Sequence, residues 1–164
     1  MSLMSWFKSL FAPKPPAVPA IVAYKQEKLS AAIRKSIYYA GVGNTPIYSS
    51  LGALNTIINQ TIKYQEDIVT WGVSDYWAAA QEIMSKGAGD CEDFAILKYV
   101  AGISSKLFVE YQAKFLLVQI IRTQEYHMVL AVDNWVLDNR SPNIILCTSP
   151  EFLNTYKIIG SPQP

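Results

Sequence analysis

Cys91 stands inside Gly89-Asp90-Cys91-Glu92-Asp93-Phe94-Ala95, His127 is the chain's single histidine, and an acid follows in Val136-Leu137-Asp138-Asn139. A thiol, an imidazole and a carboxylate in that order are the parts of an activated sulfur nucleophile. In the first turn of a helix a thiol feels the positive end of the helix dipole and its free N–H groups, which favour thiolate. An adjacent imidazole can hold that thiolate as an ion pair and later protonate a leaving group. His127 has no rival for this role.

Hairpin geometry selects the third member. If Asp133-Asn134 is a two-residue turn, Val132 pairs with Trp135, Val129 with Asp138 and His127 with Arg140. Side chains alternate along a strand, so His127, Val129 and Asp138 share a face, with Asp138 diagonal to His127. Asp133 lies six residues along the strand, roughly 20 Å away at strand rise, and is excluded as the orienting acid. Asn139 points to the opposite face; a longer turn would change this register.

One effect opposes the thiolate. Asp90, Glu92 and Asp93 crowd Cys91 with negative charge, which raises a thiol pKa. Either these carboxylates are turned away as caps of the helix, or a hard cation such as calcium sits on their oxygens and reverses the local field. Taken singly, a lone Cys is commonly a small apolar side chain, and a lone His a satisfied polar one. Their conjunction with a helix start and a hairpin is what points to catalysis. Cys147, in Ile145-Leu146-Cys147-Thr148, has no cap or base beside it and reads as structural.

The elements that must position these groups follow from periodicity. Residues 21–40 read as a helix, with Leu29, Ile33, Ile37 and Ala40 on one stripe, followed by a loop at Gly43-Asn44-Thr45-Pro46. A second helix is expected over residues 51–64, with Asn55 and Asn59 beside its apolar face, and a short one over 76–84. Asn pairs at this spacing are usually solvated or hydrogen-bonded inside a core. The nucleophile helix is expected over residues 91–101, with Asp90 as N-cap, Asp93 completing a capping box and Gly102 as the stop. Residues 114–121, 126–132 and 135–138 are rich in Val, Ile, Leu and aromatics and read as antiparallel strands. Helices first and strands second make an α+β domain.

The 164 residues suffice for one such domain, over residues 21–164, plus an appendage over 1–20. In that appendage Leu3, Trp6, Phe7, Leu10 and Phe11 take helical spacing before Pro13, Pro15, Pro16 and Pro19 make a semi-rigid linker. It reads as an arm for a docking partner or a membrane surface, or as a degenerate secretory signal. Lys+Arg of 14 against Asp+Glu of 13 leaves a net charge of +1 and no basic stripe, so nucleic acid is excluded as a partner. Two cysteines and one histidine make neither a disulfide framework nor a zinc site. No organic cofactor is expected.

The chain resembles the bacterial transglutaminase-like cysteine peptidases of the LapG type. The resemblance runs over residues 51–139 and rests on Asn55 and Asn59, Tyr64 with Asp67, Trp71-Gly72, Asp75-Tyr76-Trp77-Ala78, Glu82, Gly89 to Ile96 with Lys98-Tyr99, His127 with Val129-Leu130, and Leu137-Asp138-Asn139. It implies a papain-like, transglutaminase-like fold in which Cys91 is the nucleophile, His127 the base and acid, and Asp138 the orienting carboxylate. A calcium site at acids matching Asp90 and Glu92 is implied as well, and so is a periplasmic or secreted location, with a cytoplasmic or phage-associated one if the N-terminus is no signal. Ala79-Ala80 stand where the family usually has Thr-Pro. The expected function is thiol hydrolysis of a protein or peptide substrate; the alternatives are acyl transfer to an amine, and a non-catalytic interaction module.

Overall fold

A computed structural model describes residues 19–39 and 48–163. Most of the N-terminal arm and the Gly43-Asn44-Thr45-Pro46 loop therefore lie outside the described residues. The described residues open with α1 (Ala20–Tyr39) and α2 (Leu51–Thr61), the latter capped by Ser50, whose hydroxyl accepts from Ala53 N at 3.2 Å. Then come β1 (Lys63–Tyr64), α3 (Asp67–Thr70), α4 (Ala80–Lys86), β2 (Ala88–Gly89) and α5 (Cys91–Ser104). The C-terminal part supplies β3 (Ala113–Ile120), β4 (Tyr126–Val132), β5 (Trp135–Leu137), β6 (Ile145–Leu146), α6 (Pro150–Thr155) and β7 (Tyr156–Gly160).

The last five strands form one antiparallel sheet in the order β6-β5-β4-β3-β7, while β1 and β2 make a separate parallel pair. This is the α+β arrangement expected from the order of periodicities. Strand alternation gives the sheet two buried faces. Phe115, Leu117, Met128, Leu130 and Leu137 meet the helices, including Leu54 and Ile58 of α2 and Phe94 and Ile96 of α5. Leu116, Val118, Val129, Ala131 and Val136 face the other way, under Phe152 and Tyr156. The ends of the chain clasp each other: a Cβ on Gly160 would meet Val22 Cγ2 at 2.5 Å, and Gln163 N donates to Gln26 Oε1 at 2.9 Å.

Three helix boundaries differ from expectation, each for a tertiary reason. The helix expected to reach residue 64 stops at Thr61, because Lys63 N and Gln65 N donate to Gly87 O and Gly89 O, both at 2.9 Å, to build the β1–β2 pair. The helix expected from residue 76 starts only at Ala80, because Tyr76 N donates to Asp67 Oδ2 at 2.5 Å and Ala78 N to Asp93 Oδ1 at 3.3 Å. The helix that starts at Cys91, expected to end at Ala101, runs through Gly102 to Ser104. Gly102 is a packing glycine there, since a Cβ would lie 2.2 Å from the Phe108 ring. No helix among the described residues is long and apolar enough to cross a membrane.

Candidate active site

The hairpin has the register inferred from its turn. Val132 pairs with Trp135, Ala131 with Val136 and Leu130 with Leu137. Asp133 takes φ 52° at the first turn position, the left-handed region that Asp tolerates. One step past β5, Asp138 therefore falls on the face of His127, and its Oδ1 lies 2.9 Å from His127 Nε2, both side chains buried. An ionised carboxylate only accepts, so Nε2 carries the proton and Nδ1 is the ring nitrogen left to act as a base.

Asp138 is fully partnered. Arg140 N donates to the same Oδ1 at 2.9 Å, and Tyr156 O–H donates to Oδ2 at 2.5 Å. Burial would raise this carboxyl, but the His127, Tyr156 and Arg140 donors outweigh it and hold Asp138 down to about 2. Tyr156 also lies over the imidazole, rings 5.8 Å apart and 22° from parallel. Burial and the adjacent Asp138 charge push its own hydroxyl well above the ordinary tyrosine range, keeping it a donor.

Cys91 opens α5, with Asp90 at the N-cap position. The cap differs from the expected one. The Asp90 side chain makes no cap hydrogen bond, whereas Asp93 reaches back to the Asp90 backbone N–H and so supplies half of a capping box. Gly89 leaves the space Asp93 needs: a Cβ there would lie 2.5 Å from Asp93 Oδ2. The Cys91 thiol accepts from the backbone N–H of Met128, the residue after His127, and donates to Glu92 Oε2 at 3.0 Å. Among the described residues no hydrogen bond joins it to His127. Burial, then the Glu92 and Asp90 charges, push the thiol well above the ordinary cysteine range.

The acids beside Cys91 form two overlapping clusters that share Asp90. Glu92, paired with Asp90 in the sequence reading, turns Oε1 to Lys25 of α1, whose Nζ donates to it at 2.9 Å while lying 3.5 Å from Asp75 Oδ1 and 4.8 Å from the Trp77 ring centroid. Asp90 belongs to both clusters: one ligand atom each of Asp90, Cys91 and Glu92 lie within 4.8 Å of one another, and so do one carboxylate oxygen each of Asp67, Asp90 and Asp93. Asp67 Oδ1, Asp90 Oδ1 and Asp93 Oδ2 are buried without a hydrogen-bond partner among the described residues. Burial and mutual repulsion push Asp93 up to about 8 and Asp90 in the same direction. Buried acceptors that repel one another and lack donors are chemically suited to a hard divalent cation, which favours carboxylate oxygen.

Sequence reasoning did not reach Lys25 or Tyr156, and it put no role on Asp67. Lys25 and Asp67 come to the site across the helical layer. Tyr156 comes through the pairing of β7 with β3, a partnership no local pattern announces.

The model of the bacterial transglutaminase-like cysteine proteinase family, BTLCP, matches residues 27–157. Among solved structures, Legionella pneumophila LapG is 24% identical with a TM-score of 0.59, over 85% of this chain and 82% of that one. Calcium-bound LapG from the same organism is 21% identical with a TM-score of 0.58, over 98% and 83% of the two chains. An EGTA-treated LapG is 24% identical with a TM-score of 0.57, over 84% and 78%. These likenesses establish a transglutaminase-like fold. No curated protein matches the sequence.

Proposed function

The chain belongs to the bacterial transglutaminase-like cysteine proteinase family, and from that premise we propose that Cys91, His127 and Asp138 form the triad that hydrolyses a peptide bond in a protein substrate. The buried His127 Nε2 to Asp138 Oδ1 contact of 2.9 Å carries the reading. It sets the tautomer in which Nδ1 is a base, on the residue whose neighbour Met128 touches the Cys91 sulfur through its N–H.

His127 Nδ1 takes the thiol proton and the sulfur attacks the scissile carbonyl carbon, whose oxygen gains the negative charge. The backbone N–H of Cys91, at the open end of α5, is one donor for that oxyanion. Collapse of the adduct breaks the C–N bond, and His127 passes its proton to the departing amine, leaving a thioester on Cys91. His127 then takes a proton from water as the oxygen attacks the thioester. Release of the acid product returns the proton to sulfur. Asp138 holds the imidazole throughout and stabilises its cationic form.

Calcium is the cation we assign to the acid cluster, with Asp67, Asp90 and Asp93 as ligands; the calcium-bound LapG structure supports this choice. Bound there, a divalent ion supplies the positive charge that offsets the carboxylates raising the Cys91 thiol. Glu92, clustered with Asp90 and Cys91, is a further ligand, its Oε1 held by Lys25 and its Oε2 accepting from the Cys91 thiol.

Iodoacetamide labelling with calcium present tests the nucleophile. Cys91 is expected to be alkylated at neutral pH well ahead of Cys147, and cleavage of denatured protein substrates should vanish in Cys91→Ala. Equal labelling of both cysteines would refute an activated Cys91. Efficient incorporation of a labelled primary amine, in place of hydrolysis, would convert the assignment to acyl transfer.

A further inference from the structure

We propose that Lys98 is a positioning residue: from the nucleophile helix it fixes the Asn55 amide, and through that amide the loop that carries Asp138. The inference rests on the triad reading above and goes beyond it.

Lys98 lies seven residues after Cys91, two turns down the same face of α5, and is 0% exposed. A lysine so buried needs a polar partner. Its Nζ donates to Asn55 Oδ1 at 2.8 Å. An ammonium offers only donors, so it admits the Asn55 amide in one orientation, with Oδ1 toward Lys98 and Nδ2 away. In that orientation Nδ2 donates to Ser141 O at 3.0 Å and to Pro142 O at 3.4 Å. One turn along α2, Asn59 Nδ2 donates to Asp138 O at 2.9 Å and to Ser141 O at 3.0 Å.

These carbonyls belong to the segment just past β5, which ends at Leu137. The carboxylate of Asp138 is therefore aimed from a loop whose main chain is held by α2 amides rather than by a strand partner. Among the described residues Asn59 Oδ1 is buried without a partner, and of the two amides only that of Asn55 is locked by a cation. Burial lowers the Lys98 ammonium to about 7, and the Asp138 charge pulls it the other way.

A lysine that merely filled space could be replaced by an apolar residue of similar volume without consequence for the geometry of the site. Lys98→Met and Asn55→Asp separate the two roles. Aspartate still accepts from Lys98 but has no N–H for Ser141 and Pro142. In the full chain with calcium, the imidazole N–H shared with Asp138 comes from the single histidine, so proton NMR should show it as one downfield, slowly exchanging ring resonance.

In both variants that resonance is expected to broaden or disappear, and Cys91 alkylation to slow by between about tenfold and a hundredfold, while Lys98→Met, which leaves Asn55 Oδ1 buried without its donor, lowers the melting temperature as well. A sharp resonance with wild-type alkylation in Lys98→Met overturns the proposal and leaves the triad standing. Absence of both the resonance and selective Cys91 alkylation in the wild type overturns the two together. Should Lys98→Met fail to fold, Asn55→Asp decides the matter by the same two readings.

Discussion

The two halves of the candidate site are finished to different degrees. Around His127 every charge has a partner: Asp138 accepts from an imidazole, a backbone N–H and a tyrosine, and the stacked Tyr156 covers the ring. Around Cys91 the acids outnumber their partners, and three buried carboxylate oxygens have none. Natural proteins rarely leave buried acceptors unsatisfied without a reason. The difference teaches that the His127 side of the site is completed by the chain's own groups, whereas the Cys91 side is set among charges that the described residues do not balance.

The widest separation between the halves should appear on removing the finished one's anchor. Asp138→Asn keeps the shape but lets the imidazole adopt the wrong tautomer, and kcat should fall by about 10³–10⁴-fold. A loss below tenfold in substrate cleavage would refute Asp138 as the orienting acid.

Calcium should act on the other half alone. Adding it to chelated protein is expected to raise Tm by several degrees and to speed Cys91 alkylation, and Asp90→Asn should abolish both responses while leaving the His127–Asp138 contact intact. Differential scanning calorimetry and mass-spectrometric labelling read the two effects. Unchanged Tm and unchanged labelling with chelator would remove the cation from the account.

The halves should also respond to pH with opposite sign. Asp93 is raised from 3.8 to about 8, so without calcium its contribution to stability is full below about pH 4 and is lost as pH rises through about 8. Asp138 is lowered from 3.8 to about 2, so its contribution is full above about pH 4 and is lost as pH falls through about 2. That lowering is equivalent to about 2 kcal/mol. Urea denaturation of Asp93→Asn without calcium should show it more stable than the wild type at pH 8 and equal at pH 4; equality at both would undo the repulsion argument.

The smallest expected effect is that of Tyr156→Phe, which keeps the stacked ring and removes one donor from Asp138. A loss of about 1–2 kcal/mol in folding stability is expected, with a kcat decrease of about tenfold and KM unchanged. Equal kcat in the two proteins would make Tyr156 a purely structural cover.

Which parts of this arrangement were legible in the chain follows from the range of the interactions. The pairing of Val132 with Trp135, and with it the placement of Asp138 beside His127, could be counted from a two-residue turn because strand alternation is a local rule. Tyr156 could not, because it arrives after a helix and through a strand pairing that no short window contains. Gly102 reads as a stop in the sequence but lies inside the helix, because glycine serves both a left-handed turn and a close approach. Gly87, with φ 64° at the end of α4, is the first kind; Gly102, under the Phe108 ring, is the second. The capping acid was assigned to Asp90 on spacing, but its burial among Asp67 and Asp93 withdraws it from the helix end.

Lys25 precedes the family-matched stretch, which begins at residue 27, yet among the described residues its ammonium is the one that reaches Glu92. A fragment trimmed to residues 27–157 would leave Glu92 without that counter-charge, and would also open the seam where Val22 packs on Gly160 and Gln26 meets Gln163. Anyone expressing the catalytic part by itself should therefore start no later than Ala20 and keep the tail to Gln163.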